Sequence, residues 1–563
     1  MILPNKWGQG QLFAFSAWDG EVYTSEDFVG VLCGDRLGIR FYTNTKRELA
    51  IVKIPDLNFK AVTGDLISAV TDSGEEINIV FAERHLVIGN TAGEMLPMVM
   101  TEGDCSVEKC TNVTVQDTAD GEYTALGICG EKFAFSYADT KEKAVELAEK
   151  GLAMNIAEEK AKKLSFFEKY SWSEDDSYAM LHAKCISTMK TQLLSPEGRM
   201  KRIWSTPDRL PHRDLYLWDS VFHAMGMRNL DTKTAESLIL ALFDVQQESG
   251  FIPHRSKPEW STDITQPPVI AWGTYNVYKK SGNKDFLKAA YGNIKRFLLW
   301  CRENRRDTDE ELYTWLTGSD VNCRCDESGM DNSPRFDTRS RLQAIDYSCF
   351  MANDTRYMSK IAEELGLDDD AEFFAKWYGE IKDAVNAKLW SEEDGFYFDF
   401  DQNNGCLHKI WSVSSFLPLF AGICTAERAK ALCKHLTDPE EFYTEFPVPS
   451  ISKRDATFGT DMWRGPVWIN YNYMISQGLA EYGFSELADE ITDKTLAVLN
   501  RWYGAKGTLF EFYDCEDIKA PCELNRKGTA FEPYDFFVRA QSIRDYGWSN
   551  TLTADMLYRK YKA

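Results

Sequence analysis

The spacing of apolar residues changes abruptly at Asp139-Thr140, and this change constrains the fold more than any other feature of the sequence. Before it, short runs alternate apolar and polar residues between turn-forming Gly, Asp and Asn, whereas after it apolar residues recur at helical spacing. The pattern predicts an antiparallel β-sandwich over residues 1–138, a helical linker over 139–172 and a helical domain over 173–563. The predicted strands cover residues 13–18, 38–42, 48–54, 76–81, 85–89 and 131–137.

The region after residue 173 consists of amphipathic segments, such as the one in which Phe286, Ala290 and Ile294 share a face. Paired antiparallel helices in this number can close into a double-ring toroid, so the predicted fold class is mainly α. A functional site is expected in the long polar connections on one face of such a toroid. The predicted helices span residues 178–194, 218–227, 234–246, 268–281, 285–305, 345–365, 370–390, 412–423, 425–436, 467–482, 485–502 and 549–562.

The charge and the cysteine pattern restrict the function and the compartment. A formal net charge of −23 disfavours nucleic acid and anionic membranes as partners. The first residues lack the pattern of a signal peptide, and no run of apolar residues is long enough to span a bilayer, so we expect a cytoplasmic protein. The cysteines are dispersed, as is typical of reduced thiols, and the close pair Cys323 and Cys325 has no second Cys/His pair to complete a metal site. Neither a metal nor a cofactor is expected.

The segment from Cys323 to Asp337 concentrates acidic residues in a stretch that can be neither a helix interior nor a buried strand. Its Gly and Pro indicate a loop, which either presents acids to a site or forms a solvated turn. We call residues 323–337 the central loop. Its acids are Asp326, Glu327, Asp331 and Asp337.

Other connections between the predicted helices combine aromatic rings with groups that hydrogen-bond hydroxyls, as in Trp218-Asp219 and Trp463-Arg464. A sugar site needs this mixture, because rings cover the apolar side of a pyranose and polar groups bind its hydroxyls. Cleavage of a glycosidic bond also needs two carboxyl groups, one protonated and one ionised. The central loop supplies one of these carboxyls, although the residues alone do not say which acid it is, and the segment around Glu511 supplies the other.

Several motifs resemble glycoside hydrolase family 63. They are Glu327-Ser-Gly-Met-Asp-Asn-Ser-Pro-Arg-Phe-Asp337, Met462-Trp-Arg-Gly-Pro-Val-Trp-Ile-Asn470, Glu511-Phe-Tyr-Asp514 and Gly547-Trp-Ser549. Gly250-Phe-Ile-Pro and Gln266-Pro-Pro are similar to segments of the family 37 trehalases. The resemblance covers residues 173 to 563 and implies an inverting α-glycosidase with an (α/α)6 barrel.

The resemblance also implies residue roles. Asp331 would be the general acid and Glu511 the general base, with their carboxyls about 6.5–9.5 Å apart. Glu532 is a rival base, because a second acidic stretch follows the Glu511 motif. For Asp331 to donate a proton at neutral pH its pKa must be raised, which burial against tryptophans could do. Residues implied to line the sugar subsite are Trp218, Asp219, Gln266, Arg335, Trp463, Arg464 and Trp548, and Arg335 and Arg464 are further expected to orient the acids.

The function implied is exo-acting hydrolysis of a small α-glycoside, foremost an α-glucoside or oligosaccharide. Hydrolysis of mannosyl- or glucosylglycerate is the alternative, in which Arg202, Arg213 or Arg255 would meet the carboxylate. A sugar 2-epimerase on the same kind of toroid would instead use His212, His223 or His254. A non-catalytic sugar-binding protein would lack one of the two acids, and a phosphorylase would need no general base. The sequence predicts no oligomeric state.

Overall fold

The structure is a computed structural model that describes residues 1–26, 28–41, 50–54, 57–92, 95–99, 107–110, 112–117, 121–172, 177–307, 310–527 and 541–562. Its contacts divide the chain into two compact units. The first comprises Met1–Glu197, Asp208–Arg213 and Leu499–Leu509, and the second comprises Gly198–Pro207, Asp214–Val498 and Phe510–Ala563. The predicted boundaries at 138/139 and 172/173 stay a prediction.

The first unit contains two antiparallel sheets, one of five strands in the order β1-β2-β3-β4-β9 and one of eight in the order β10-β11-β12-β13-β8-β7-β6-β5. Phe13 and Phe28 of the smaller sheet pack on Phe81 of the larger one, with ring centroids 5.6 and 6.0 Å apart, so the sheets form a sandwich. The strands are β1 Leu12–Ala14, β2 Phe28–Cys33, β3 Arg36–Phe41, β4 Ala50–Lys53, β5 Asn58–Val62, β6 Leu66–Val70, β7 Glu76–Glu83, β8 Leu86–Asn90, β9 Leu96–Val99, β10 Val107–Cys110, β11 Val113–Asp117, β12 Tyr123–Cys129 and β13 Lys132–Ala138.

Three helices complete the first unit: α1 Lys141–Ala153, α2 Ile156–Tyr170 and α3 Ala179–Thr191. The change of pattern at residue 139 coincides with the end of β13 and the start of α1. Thr140 caps α1 by accepting a hydrogen bond from the backbone N–H of Lys143, which satisfies a donor that the helix itself cannot pair. The apolar face of α1 then packs on the larger sheet through Ala144 and Ala148.

The second unit is built from α4 Leu217–Met227, α5 Thr232–Asp244, α6 Ile270–Ser281, α7 Lys284–Arg305, α8 Ile345–Leu365, α9 Asp368–Lys388, α10 Leu417–Ala421, α11 Ala426–Leu436, α12 Ile469–Glu481, α13 Ser485–Lys506 and α14 Gly547–Tyr561, the last part of α13 belonging to the first unit. All twelve predicted helical segments lie on described helices. The segment predicted at 412–423 is a 3-10 turn, Val413–Phe416, followed by the short α10.

Burial separates these helices into two rings. Helices α4, α6, α8, α10, α12 and α14 each contact the next in this order, and α14 contacts α4, so six helices close an inner ring. Helix α4 is buried over its whole length, whereas α7 and α9 bury a single face. The helices with a single apolar face, of which α5, α7 and α9 contact the inner helices, therefore cover the ring from outside. This is the (α/α)6 arrangement.

Sharp turns connect the two rings. Gly366 ends α8 in the left-handed conformation at φ 71°, and three aspartates, starting at Asp368, occupy the first turn of α9. Acids at a helix start are favoured by the positive end of its dipole. Within the described residues, no helix is long and apolar enough to cross a membrane.

Longer connections carry short strands: β14 Leu193–Leu194, β15 Trp204–Ser205, β16 Leu215–Tyr216, β17 Arg255–Ser256, β18 Leu342–Gln343, β19 Trp390–Ser391, β20 Phe396–Tyr397, β21 Asp399–Asp401 and β22 Cys406–His408. Strands β18, β21 and β22 form one small sheet. The long connection between α7 and α8 contains the central loop.

Candidate active site

The central loop is buried in the second unit. Glu327 and Arg335 are each 1% exposed, and Met330 and Ser333 are inaccessible. Two short 3-10 turns, Asp326–Ser328 and Pro334–Phe336, shape the loop. The alternative of a solvated acidic turn is therefore wrong.

The buried Glu327 helps to hold the central loop in place. Its carboxylate accepts hydrogen bonds from the Arg305 guanidinium at 2.8–3.2 Å. It also accepts from the backbone N–H groups of Thr265 at 3.1 Å and Leu316 at 2.8 Å. A carboxylate so fully bonded anchors the loop and has no capacity left for proton transfer.

Asp337, at the other end of the loop, forms an ion pair with Arg464, and its side chain is 41% exposed. Glu327 is buried and bonded through both oxygens, and Asp337 is exposed at the end of the loop, so the four acids of the loop reduce to two candidates. These are the neighbouring carboxyls of Asp331 and Asp326, which lie with the Cys323 thiol in one cluster whose ligand atoms are within 4.8 Å of one another.

Asp331 is held by a cation. The Lys527 ammonium lies 2.6 Å from an Asp331 carboxylate oxygen. Burial alone would raise the pKa of Asp331, but Lys527, followed by Arg526 and His254, outweighs it, so the pKa lies below its ordinary value. The expectation of a raised Asp331 pKa is wrong, because the Lys527 ammonium stabilises the ionised carboxylate, a contact that could not be read from the sequence.

The pKa of Asp326 is shifted in the opposite direction from that of Asp331, although the two carboxyls lie in one cluster. Burial, and next the negative charge of Asp331, raise the pKa of Asp326 against the opposing effect of Lys527. Cys323 donates its S–H to Asp326. Burial and the charge of Asp331 raise the pKa of the Cys323 thiol, which therefore stays protonated and able to donate. In this state the pair carries its negative charge mainly on Asp331.

Glu511 lies on a short extended segment after α13. Its backbone N–H donates to the Ile543 carbonyl at 2.8 Å, and the adjacent Tyr513 pairs with Val467. The Arg526 guanidinium donates to both Glu511 carboxylate oxygens at 2.8 and 3.0 Å, and both side chains are almost fully buried. A bidentate pair of this kind fixes the orientation of the carboxylate.

Consecutive residues thus hold the two candidate catalytic acids, since Arg526 binds Glu511 and Lys527 binds Asp331. The preceding residue, Asn525, accepts a backbone hydrogen bond from Met462 at 3.3 Å, which ties this short segment to the Trp463-Arg464 motif.

Asn332, next to Asp331, connects the central loop to the same motif. Its side-chain oxygen accepts from the Trp463 backbone N–H at 3.0 Å, and its backbone oxygen accepts from Arg464 at 2.9 Å. Arg464 also binds Asp337. Arg464 therefore holds the loop that carries Asp331, and its expected role in orienting the acids stays a prediction.

Four of the predicted subsite residues lie in one aromatic cluster. Trp218 packs edge-on against Trp548 with centroids 5.2 Å apart, and Trp548 contacts Trp468, which stacks on Trp463 at 3.7 Å. Gln266 reaches the same place, because its side-chain oxygen accepts from the Trp218 backbone N–H at 3.2 Å. Trp218, Gln266, Trp463 and Trp548, which are distant in sequence, are thereby brought together.

Arg335 and Asp219 occupy different positions from these four. The five N–H groups of Arg335 are all engaged by Asp399, Asp346 and Ser414. Arg335 therefore has no donor left for a sugar hydroxyl, and it stabilises the junction of the loop with α8. Asp219 is 2% exposed in the first turn of α4, next to Trp218.

Three buried donors in this region have no hydrogen-bond partner among the described residues. They are the indole N–H groups of Trp463 and Trp548 and the Nη1 of Arg526. Buried donors are normally paired, so unpaired donors, one of them on the arginine that binds Glu511, indicate a place for ligand or water oxygens.

The histidines do not form an epimerase site. His223 is buried, its pKa is lowered to about 3 by burial, and its Nδ1 lies 2.8 Å from the Ser205 hydroxyl. His212 is paired with Asp208 in the first unit. His254 has an electrostatic interaction with Asp331. A single histidine cannot supply the two-sided proton transfer of an epimerase.

The three arginines that were predicted to bind a substrate carboxylate lie in different places. Arg202 pairs with Asp244 at 3.1 Å. Arg213 belongs to the first unit, where it donates to the Thr24 carbonyl. Arg255 is near enough to Asp326 for its positive charge to oppose the rise in the Asp326 pKa, and its guanidinium lies over the exposed ring of Trp260.

Sequence reasoning missed Arg526, Lys527 and the thiol of Cys323 as parts of the site. Two consecutive cations after an acidic stretch, in a chain of net charge −23, were the available signal. Glu532, the predicted rival of Glu511, lies outside the described residues.

Solved structures with similar folds support the architecture described above. The GH63 mannosylglycerate hydrolase of Thermus thermophilus, in complex with Tris, matches at a TM-score of 0.55 with 22% identity, covering 67% of this chain and 99% of that one. A bacterial glucoamylase complexed with acarbose matches at 0.61 with 12% identity, covering 100% and 98%. The fold is that of (α/α)6-barrel glycosidases preceded by an antiparallel β-sandwich.

Sequence comparison identifies the family. A sequence model described as the mannosylglycerate hydrolase MGH1-like glycoside hydrolase domain matches residues 213–549. The chain belongs to this family and is a glycoside hydrolase. Mannosylglycerate hydrolase MGH2 of Selaginella moellendorffii is 25% identical over 407 residues, which cover 58% of this chain and 82% of the relative.

Proposed function

We propose that this protein is an inverting, exo-acting α-glycosidase in which Asp331 is the general acid and Glu511 the general base. The observation that carries this proposal is the pairing of two carboxylates, Asp331 and Glu511, with the consecutive cations Lys527 and Arg526. The aromatic cluster around Trp218 and the unpaired indole donors beside them suit a sugar ring and its hydroxyls.

In the proposed reaction, Asp331 gives its proton to the glycosidic oxygen while the bond from that oxygen to the anomeric carbon breaks. A water oxygen bonds to the anomeric carbon from the opposite face, and Glu511 takes the proton that this water loses. The products are the β-anomer of the sugar and the free leaving-group alcohol. Glu511 then returns its proton to solvent and Asp331 takes up another.

The proposed substrate is an α-hexoside whose leaving group is a small hydroxy acid such as glycerate. Cations gather around Asp331, namely Lys527, Arg526 and His254, with Arg255 near Asp326, in a chain whose net charge is −23. The names of the family and of the relatives, mannosylglycerate hydrolases, favour the same substrate class. A neutral α-glucoside or small oligosaccharide is the second candidate, because the subsite residues do not themselves require a charge.

We place the enzyme in the cytoplasm. The described cysteines are free thiols, among them the buried Cys185, Cys301 and Cys349, which fits a reducing compartment.

The test compares purified wild type with the Asp331→Asn, Glu511→Gln and Asp326→Asn variants on α-mannosyl- and α-glucosylglycerate, with methyl α-glucoside and maltose as neutral substrates. Proton NMR follows the first anomer released. We expect release of the β-anomer, and a loss of kcat of about 10³-fold or more in the first two variants, since each lacks a proton-transfer group.

Asp326→Asn is the matched control, because it removes the neighbouring carboxyl of the same cluster, and we expect a smaller loss. Release of the α-anomer would contradict the inverting mechanism. Loss of activity in Asp326→Asn with activity retained in Asp331→Asn would exchange the roles of the two acids.

A further inference from the structure

We propose that Lys527 selects substrates with an anionic leaving group, because the carboxylate of such a substrate draws the Lys527 ammonium away from Asp331. The inference rests on the proposed function, in which Asp331 donates the proton. It adds a specificity-determining residue to the site and gives a physical reason for the preference.

The geometry favours the ionised form of Asp331, which has no proton to donate. A general acid must carry a proton, yet Asp331 faces an ammonium at 2.6 Å. The same ammonium lies 2.9 Å from the Cys323 sulfur. An ion pair this close stabilises the ionised carboxylate, so a substrate must weaken it before Asp331 can donate.

The other groups around Asp331 do not remove the preference of this residue for its ionised form. Arg526 and His254 add positive charge, Asp326 adds a carboxyl, and Cys323 offers a protonated thiol. Arg526 is held on Glu511 through two of its nitrogens. Lys527 is therefore the cation in contact with Asp331 that can change its partner.

Lys527 can move without disturbing the backbone. Its side chain is 23% exposed and that of Asp331 is 18% exposed, so a ligand can reach both groups. Its backbone is in the left-handed conformation at φ 57°, which is unfavourable for a lysine, and the preceding Arg526 is fixed on Glu511. The aliphatic stem can thus swing while its attachment stays in place.

The carboxylate of an anionic leaving group would lie close to Asp331 and Lys527. The general acid lies beside the glycosidic oxygen, and in a 2-O-glycosylated hydroxy acid the carbon bonded to this oxygen also carries the carboxylate. When the substrate carboxylate pairs with the Lys527 ammonium, Asp331 loses its nearest cation and takes up a proton from solvent. Lys527 keeps its charge throughout, and the negative charge that Asp331 gives up by binding the proton is replaced by that of the substrate.

The experiment uses two substrates that differ in one group, the carboxylate of 2-O-α-mannosyl-D-glycerate and the hydroxymethyl group of 2-O-α-mannosylglycerol. Wild type, Lys527→Met and Lys527→Arg are compared by the pH dependence of kcat for each substrate. Lys453→Met is the control, since Lys453 pairs with Glu516 at 2.9 Å in the same unit and has no described contact with either acid.

For wild type we expect kcat on the neutral substrate to rise as the pH is lowered from about 7.5 to about 5, while kcat on the anionic substrate changes little. In Lys527→Met, the alkaline limb on the neutral substrate moves to higher pH, and the ratio of kcat values, anionic over neutral, falls by about tenfold or more. In Lys527→Arg and Lys453→Met, we expect the wild-type ratio of kcat values and an alkaline limb at the wild-type pH. An unchanged ratio in Lys527→Met would overturn the proposal, whatever the absolute rates.

A second measurement separates this proposal from the proposed function. The Asp331 carboxyl is titrated by ¹³C NMR in protein labelled at the aspartate carboxyl carbon, with Asp331→Asn providing the assignment. Adding D-glycerate should raise the Asp331 pKa in wild type but not in Lys527→Met. If neither substrate is hydrolysed but this shift occurs, the proposed reaction fails and the role of Lys527 stands. If D-glycerate causes no shift, the role of Lys527 is wrong.

Discussion

A single glycine sets how closely the central loop approaches the aromatic cluster. Gly329 has φ 71°, and a Cβ at this position would lie 2.3 Å from the Trp218 ring. The loop needs both the left-handed conformation and the missing side chain there, because Trp218 is itself buried against Trp548. Close packing at this residue fixes the part of the loop that leads, two residues later, to Asp331.

Replacing this glycine tests that contact. Gly329→Ala should reduce kcat/KM by about tenfold or more and lower the Tm, because the loop must shift away from Trp218. Gly366→Ala is a matched control with the same φ of 71° and no atom within 4 Å of the added carbon. It carries only the conformational cost of about 1 kcal/mol and should leave kcat/KM unchanged. Equal effects of the two variants on kcat/KM would show that packing on Trp218 is not what positions the loop.

At the scale of the elements, helices of the inner ring are joined by buried polar groups. Asp354 on α8 accepts hydrogen bonds from the backbone N–H groups of Ala271 and Trp272 at 2.9 and 3.0 Å, at the start of α6. This carboxyl caps a helix that has no side-chain cap of its own. Burial raises its pKa to about 7, against the smaller opposing effect of these bonds.

The raised pKa predicts a pH dependence of stability. Between its ordinary value of 3.8 and about 7, Asp354 is protonated in the folded state and ionised in the unfolded state. The contribution of Asp354 to the free energy of unfolding is therefore largest below 3.8 and falls as the pH rises to about 7, by a few kcal/mol at most. Urea unfolding of wild type and Asp354→Asn across this range measures the difference. If it does not change with pH, the carboxyl is not protonated in the folded protein at neutral pH.

For the whole molecule, each unit has an apolar core of its own. Leu86, in a buried cluster with Ile88 and Val80, belongs to the sandwich. Leu298 on α7 is fully buried among the helices. A chain with two cores is expected to unfold in more than one step.

Calorimetry of matched core variants tests this division. Leu86→Ala and Leu298→Ala each remove the same side chain from a buried site, at a cost of about 2–5 kcal/mol. We expect two thermal transitions, with each variant lowering a different one. One transition lowered equally by both variants would mean that the two units unfold together.

Local patterns were sufficient for much of this structure. Helical periodicity located twelve helical segments, because an amphipathic face is written into neighbouring residues. The strands β2, β5, β6 and β9 to β12 were not among those predicted from the sequence. Strand β2, for example, is buried at five of its six positions and does not alternate apolar and polar residues.

Some features of the candidate site could likewise be predicted from the sequence, and others could not. Asp331, Glu511 and the tryptophans belong to motifs of contiguous residues, so the sequence and its family resemblance were enough to predict them as site residues and to predict the glycosidase class. Contacts between distant segments placed Arg335 in a supporting bond network and joined Lys527 to Asp331. Charge interactions depend on distances of a few ångströms, which only the closure of the helical ring brings about. The sequence therefore determined which residues were available for the chemistry, while the tertiary structure decided which cation holds each acid and lowered the pKa of Asp331.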